Sequence, residues 1–154
     1  MTTNYRLAPI APADARRLRD EHGAATGAVY IADAKPGYPC RQCLRDAEIG
    51  ERLVLVAYDP FASDSPYRSR SPIFLHESDC GTPHDLTTVP AQLSVRQLSV
   101  RAFDEQAMMI DADVIEGSEL DDTLRRFLTD PATTELHVHN ASRGCWATTV
   151  TRTA

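Results

Sequence analysis

The chain has 154 residues, 42% of them hydrophobic, which is enough for one domain of ordinary size with a genuine core. A formal net charge of −6 excludes a broad phosphate-binding surface, because affinity for nucleic acid comes chiefly from clustered positive charge. No segment approaches the roughly 18 apolar residues of a membrane span, and the start, MTTNYRLAPIAPADARR, lacks the apolar run of a signal peptide.

These properties lead us to expect a single domain over residues 1–154, located in the cytoplasm, with neither nucleic acid nor a membrane as partner. In that reducing compartment Cys40, Cys43, Cys80 and Cys145 read as free thiols, metal ligands or reactive groups rather than a disulfide frame. The only lysine is Lys35, so nearly every cation is a guanidinium able to grip a carboxylate or phosphate at two points.

In chain order, PADARRLRDEHG (residues 12–23) predicts a helix, with Pro12 in the first turn, Asp14 near the positive end, Ala15 and Leu18 on a modest apolar face, and Gly23 as its stop. AVYIAD, ERLVLVAY and SPIFLHE are rich in branched and aromatic residues and predict strands. Between the last two, DPFASDSPYRSRSP (residues 59–72) is polar and punctuated by proline. It reads as a surface loop whose Tyr67 could fold over a site.

QLSVRAF and MMIDADVI alternate on either side of Asp104 to Gln106, which predicts a hairpin. GSELDDTLRRFLTDP carries Ser118 three positions before Asp121, the spacing of a capping box, followed by Leu120, Leu124, Phe127 and Leu128 at helical spacing until Pro131. TELHVHN, the turn ASRG and CWATTVT form a second hairpin in which Gly144 can supply positive φ. About seven strands and two helices joined mainly by short turns indicate an α+β domain on a mainly antiparallel sheet. Its edge strands are compatible with a homodimer.

The succession PGYPCR, CL, DA and GE, followed by SPY, PIFLH, SVRAFD, MMIDADVI and LHVHNA, resembles a bacterial family catalogued as domain of unknown function 1203, from about Gly37 to Arg152. The resemblance carries no reaction with it. Many members of that family read PCRVSL where this chain reads PCRQCL, which implies that a site common to the family does not depend on Cys43.

Zinc requires four ligands in a tetrahedron, and Cys40, Cys43, His76 and Cys80 supply that number. A strand through YPCRQCL would send Cys40 and Cys43 to opposite faces, so a metal is not the favoured reading, although a turn or short helix there would restore it. A thioredoxin-like dithiol fits less well, since that motif opens a helix in a βαβ unit.

In LHVHN, Leu136 and Val138 alternate with His137 and His139, placing two imidazoles on one face about 7 Å apart. That face is expected to be solvated, or one imidazole to bond a turn, with Asn140 as a turn residue and Cys145 across the hairpin. Arg41 and Arg101 sit inside strand-like segments, where Asp104, Asp111 and Asp113 are the default partners and an anion clamp is the alternative. No glycine-rich phosphate loop, G-x-S-x-G elbow or H-E-x-x-H occurs.

Three functional readings stand at this point. The first is binding of, or action on, a small anionic molecule by Cys40, Arg41, Arg101, His137, His139 and Asn140 around one sheet face. The second is a structural or interaction module, with zinc on Cys40, Cys43, His76 and Cys80. The third is a thiol-dependent enzyme using Cys40 or Cys145.

Overall fold

The computed structural model describes residues 3–25 and 27–153. In chain order it contains β1 (Tyr5–Ala8), α1 (Pro12–Ala25), β2 (Tyr30–Ile31), β3 (Arg52–Tyr58), β4 (Ser71–His76), α2 (Ala91–Ser94), β5 (Gln97–Phe103), β6 (Met109–Glu116), a 3-10 turn (Gly117–Glu119), α3 (Leu120–Thr129), β7 (Glu135–Asn140) and β8 (Trp146–Arg152). The fold is α+β, as the sequence indicates, but its strands are divided between two antiparallel sheets. One has five strands in the order β1-β8-β7-β5-β6, and the other has three in the order β2-β3-β4.

Both hairpins form where expected. Between β5 and β6 the chain turns on Asp104, whose carboxylate accepts the backbone N–H groups of Gln106 and Met108. Between β7 and β8, Gly144 takes a φ of 80°, which a side chain would resist. β1, which the sequence reading leaves out, closes the far edge of the large sheet by pairing with the last strand, Tyr5 opposite Arg152.

The apolar stripe of α3 explains the main core. Leu120, Leu124, Phe127 and Leu128 are buried against Leu98, Val100, Leu136, Val138 and Val150 of the large sheet. Each such side chain contributes roughly 1.5–3 kcal/mol by leaving water. The expected capping box is not formed: Ser118 lies in the preceding 3-10 turn, and the N-cap residue of α3 is Glu119, whose side chain makes no capping bond among the described residues. Asp121 instead accepts a 2.6 Å hydrogen bond from the Tyr5 hydroxyl and pairs with Arg125, so its carboxylate ties α3 to β1.

α1 runs past Gly23 to Ala25 and buries Ala15 and Leu18 in a second core with Val54, Val56, Ile73, Leu75 and Trp146. Because side chains alternate along β3 and β4, that core takes one face of the small sheet, while Leu55 and Phe74 project from the other toward an open cleft. The strand expected at AVYIAD is reduced to Tyr30–Ile31. No helix among the described residues is long and apolar enough to cross a membrane.

Candidate functional site

The segment YPCRQCL is not a strand. After single bridges at Pro39 and Cys40 it turns over residues 41–43 and returns to a bridge at Asp46, with Leu44 N–H bonded to Cys40 O at 3.2 Å and Leu44 at a φ of 56°. The turn removes the geometric objection to a shared site, because Cys40 and Cys43 no longer alternate across a pleat. Their sulfurs, His76 Nδ1 and Cys80 Sγ all lie within 4.8 Å of one another. Cys40 and Cys80 are separated by 3.6 Å between sulfurs, and Cys43 Sγ is 3.6 Å from His76 Nδ1. These four atoms, drawn from the turn, the end of β4 and the segment after it, can hold one divalent metal ion.

The cluster shares protons closely. Hydrogen bonds from Cys43 and Cys80 push the Cys40 thiol well below its usual range, and the sulfurs of Cys40 and Cys43 push Cys80 well up. Hydrogen bonds to Cys40 and Cys43 raise the His76 imidazole to about 10. Negative charge is therefore favoured on Cys40 and Cys43 at the expense of Cys80, as expected of like groups crowded together beside an imidazole.

On the other side of the same turn, Arg41 points away from the sulfur cluster. Its guanidinium is almost fully buried and donates from Nε to Trp146 O at 2.9 Å, from Nη1 to Pro39 O at 2.6 Å and from Nη2 to Cys145 Sγ at 3.1 Å. Burial lowers its pKa. The expected internal salt bridge is not formed: among the described residues no carboxylate pairs with Arg41 or with Arg101, Asp113 pairs with Arg126, and Asp104 and Asp111 bond backbone N–H groups. Arg41 lies at the floor of a cleft of about 850 Å³ between the outer face of the small sheet and the β7–β8 turn. Tyr30, Tyr38 and Phe74 form its aromatic wall, and Asn140, Arg143 and Cys145 its opposite side.

The single face expected to gather all the candidate residues is thus divided into three places. Cys40 belongs to the sulfur cluster, and Arg41 and Asn140 belong to the cleft. Arg101, His137 and His139 share the face of the large sheet opposite α3, with Arg101 directly across from His137. That face is not solvated near the histidines. Phe61 of the 59–72 loop lies edge-on over His137 at 4.8 Å, Phe103 flanks it at 4.7 Å, and Tyr67 reaches Phe103 rather than a ligand site. His137 Nε2 bonds Glu135 Oε1 at 2.9 Å, while its Nδ1 is buried without a hydrogen-bond partner among the described residues. His139 Nδ1 donates to Gly144 O at 2.9 Å, the turn bond anticipated for one imidazole, and burial lowers its pKa to about 4.

Residues 37–152 match the family described as "Protein of unknown function (DUF1203)". The chain belongs to that family. No curated protein and no solved structure matches it. The DUF1203 segment contains all four members of the sulfur cluster together with Arg41, Asn140 and Cys145. Two contributors lie before it. Tyr30 joins the cleft wall, and Arg19 of α1 bonds His76 O at 2.7 Å and Gln42 Oε1 at 2.6 Å beside the cluster.

Tyr38, Phe74 and Arg143 join the cleft and Glu51 partners His76, four roles that no motif in the sequence marks. Phe74 gave a usable signal, being an aromatic in a strand whose alternate positions Ile73 and Leu75 already account for the core.

Proposed function

We propose that this chain binds a small organic anion in the cleft between its two sheets, with the acid group on Arg41 and an aromatic or flat apolar body against Tyr30, Tyr38 and Phe74. The observation that carries this reading is the Arg41 guanidinium, buried at the floor of a cleft of about 850 Å³ without a carboxylate partner among the described residues. A buried cation without a counter-ion is costly, and an incoming carboxylate or phosphate would offset that cost with a charge-assisted bond. Arg143 at the rim has the same sign of charge, so it favours the approach of an anion. The volume and mixed lining are those of a small-molecule site.

Benzoate and phenyl phosphate are suitable probes, followed by amide chemical shifts. The expected shifts concentrate on Tyr30, Tyr38, Asn140 and Cys145. Arg41→Lys, which keeps the charge but loses the planar fork, should weaken the response about tenfold. Amides of the cleft that stay still at saturating probe, or a response spread evenly over the surface, would overturn the proposal.

A second reading is favoured by one contact. Cys145 is the cysteine in the cleft, with Arg41 Nη2 3.1 Å and Asn140 Nδ2 3.6 Å from its sulfur, whereas Cys40 is enclosed in the cluster. A thiol-dependent activity would therefore use Cys145 rather than Cys40. Mass-spectrometric mapping of iodoacetamide labelling tests this: Cys145 should be alkylated first, and equal rates at all four cysteines would remove the idea.

A further inference from the structure

We infer that Cys40, Cys43, His76 and Cys80 bind one structural zinc ion, which fastens the 39–46 turn and the irregular segment after β4 to the end of the small sheet. The inference is independent of what the cleft binds.

The distances suit the ion. With Zn–S near 2.3 Å and Zn–N near 2.0–2.1 Å, the edges of a tetrahedron are about 3.8 Å between sulfurs and about 3.5 Å between sulfur and nitrogen. The Cys40–Cys80 and Cys43–His76 separations are both 3.6 Å. Three sulfurs and one imidazole fill all four positions with protein atoms, the arrangement of a closed structural site rather than a catalytic one with an open position. A sulfur-rich tetrahedral set with an imidazole member suits zinc better than the oxygen-preferring cations magnesium and calcium.

The surroundings support the ligands individually. His76 presents Nδ1 to the cluster and Nε2 to Glu51 Oε1 at 3.1 Å, so the carboxylate fixes the tautomer that leaves Nδ1 free to coordinate. The backbone N–H of His76 points at Cys40 Sγ at 3.4 Å, a contact that supports a thiolate. Three thiolates on a dication leave a net charge of −1, and two guanidiniums are placed to balance it. Arg19 Nη2 lies 3.9 Å from Cys80 Sγ, and Arg45 stands near enough to Cys43 for that sulfur to raise its pKa.

The path of the chain gives the metal a structural task. Residues 77–90 run without helix or strand between β4 and α2. A segment of that length rarely holds one shape unless something fixes it. Cys80 is where the cluster would fix it. On the cleft side the turn at residues 41–43 is held by the Arg41 guanidinium and by Gln92, which donates to Cys40 O at 3.0 Å; on the opposite side Cys40 and Cys43 would be held by the metal.

The test uses the full untagged chain, purified under reducing conditions without chelator. Elemental analysis should find stoichiometric zinc in the wild type and in Cys145→Ser, whose cysteine lies outside the cluster, and at least tenfold less in Cys43→Ser and Cys80→Ser. Cobalt(II) added to the metal-stripped wild type should give the intense visible bands of a tetrahedral site and a thiolate charge-transfer band, both bleached by added zinc. The cobalt spectrum decides the matter even if a ligand variant does not fold. A folded wild type that takes up neither zinc nor cobalt, iron in place of zinc, or full metal retention in Cys43→Ser and Cys80→Ser would each overturn the inference.

Discussion

Glu51, just before β3, and His76, at the end of β4, meet with the carboxylate Oε1 lying 3.1 Å from the imidazole Nε2 on the side turned away from the sulfurs. Carboxylates in this position orient a metal-bound histidine and raise its basicity, and their loss typically costs 10–100-fold in metal affinity. Glu51→Gln should therefore weaken zinc binding by about tenfold or more while leaving stoichiometric uptake at saturating metal. Competition with a chromophoric chelator checks this. An unchanged dissociation constant would mean that Glu51 is an ordinary surface partner of His76.

The pH dependence of stability should carry a signature of His139. Burial holds its folded pKa at about 4, and the guanidiniums of Arg101 and Arg41 act in the same direction. The unfolded chain has the ordinary value near 6.5, so as pH falls the unfolded state takes up the proton first and stability is lost between about 6.5 and 4. Above 6.5 both states are neutral and the effect vanishes. At 1.36 kcal/mol per pKa unit the full loss is about 3 kcal/mol. His139→Asn, which can still donate to Gly144 O, should flatten urea-unfolding stability across that window relative to the wild type. Comparing the two proteins cancels the acid release of any bound metal. Parallel profiles would show that His139 titrates normally in the fold.

Much of this arrangement could be read from residue patterns, and the remainder depends on contacts distant in sequence. Alternation was enough for the β5–β6 and β7–β8 hairpins, and helical spacing was enough for α3. β1 was hidden because four residues at the start show too little alternation, and its partner Val150 or Arg152 lies at the other end of the chain. The four cluster residues were legible as a ligand count. Their convergence was not, because the turn at residues 41–43 places Leu44 at positive φ without a glycine to announce it. His137 and His139 were correctly placed on one face, yet a loop that looked only polar supplied Phe61 to bury them.

Gly117 joins β6 to α3 where backbone segments cross. A Cβ at this residue would stand 2.1 Å from Leu93 O and 2.6 Å from Arg96 O, and its own N–H donates to Arg96 O at 2.7 Å. Backbone atoms cannot yield as a flexible side chain can, so Gly117→Ala should cost about 3 kcal/mol through overpacking. Gly50→Ala is the informative comparison, since nothing among the described residues lies within 4 Å of its added Cβ and only its φ of 94° is penalised. Thermal unfolding of both variants should rank Gly117→Ala as the more damaging. The reverse order would mean that the 93–96 segment moves aside readily.

Arg96 lines the cleft, but its charge is already engaged. Its two terminal nitrogens grip the carboxylate of Asp46 at 2.6 and 2.9 Å, with the side chains only 18% and 7% exposed. Asp46→Asn would leave that guanidinium without its counter-ion, and breaking a buried pair on one side costs about 3 kcal/mol. The same change frees a further cation in the cleft that Arg41 and Arg143 already line. Stability and anion affinity should therefore move in opposite directions: a lower unfolding midpoint together with phenyl phosphate binding strengthened several-fold at low salt. The gain in affinity should shrink as salt is added, since attraction acting through a solvent-open cleft is screened over about 10 Å at 0.1 M. If stability falls and phenyl phosphate binds no better, the freed Arg96 does not reach the ligand, and recognition of the acid group rests on Arg41 alone.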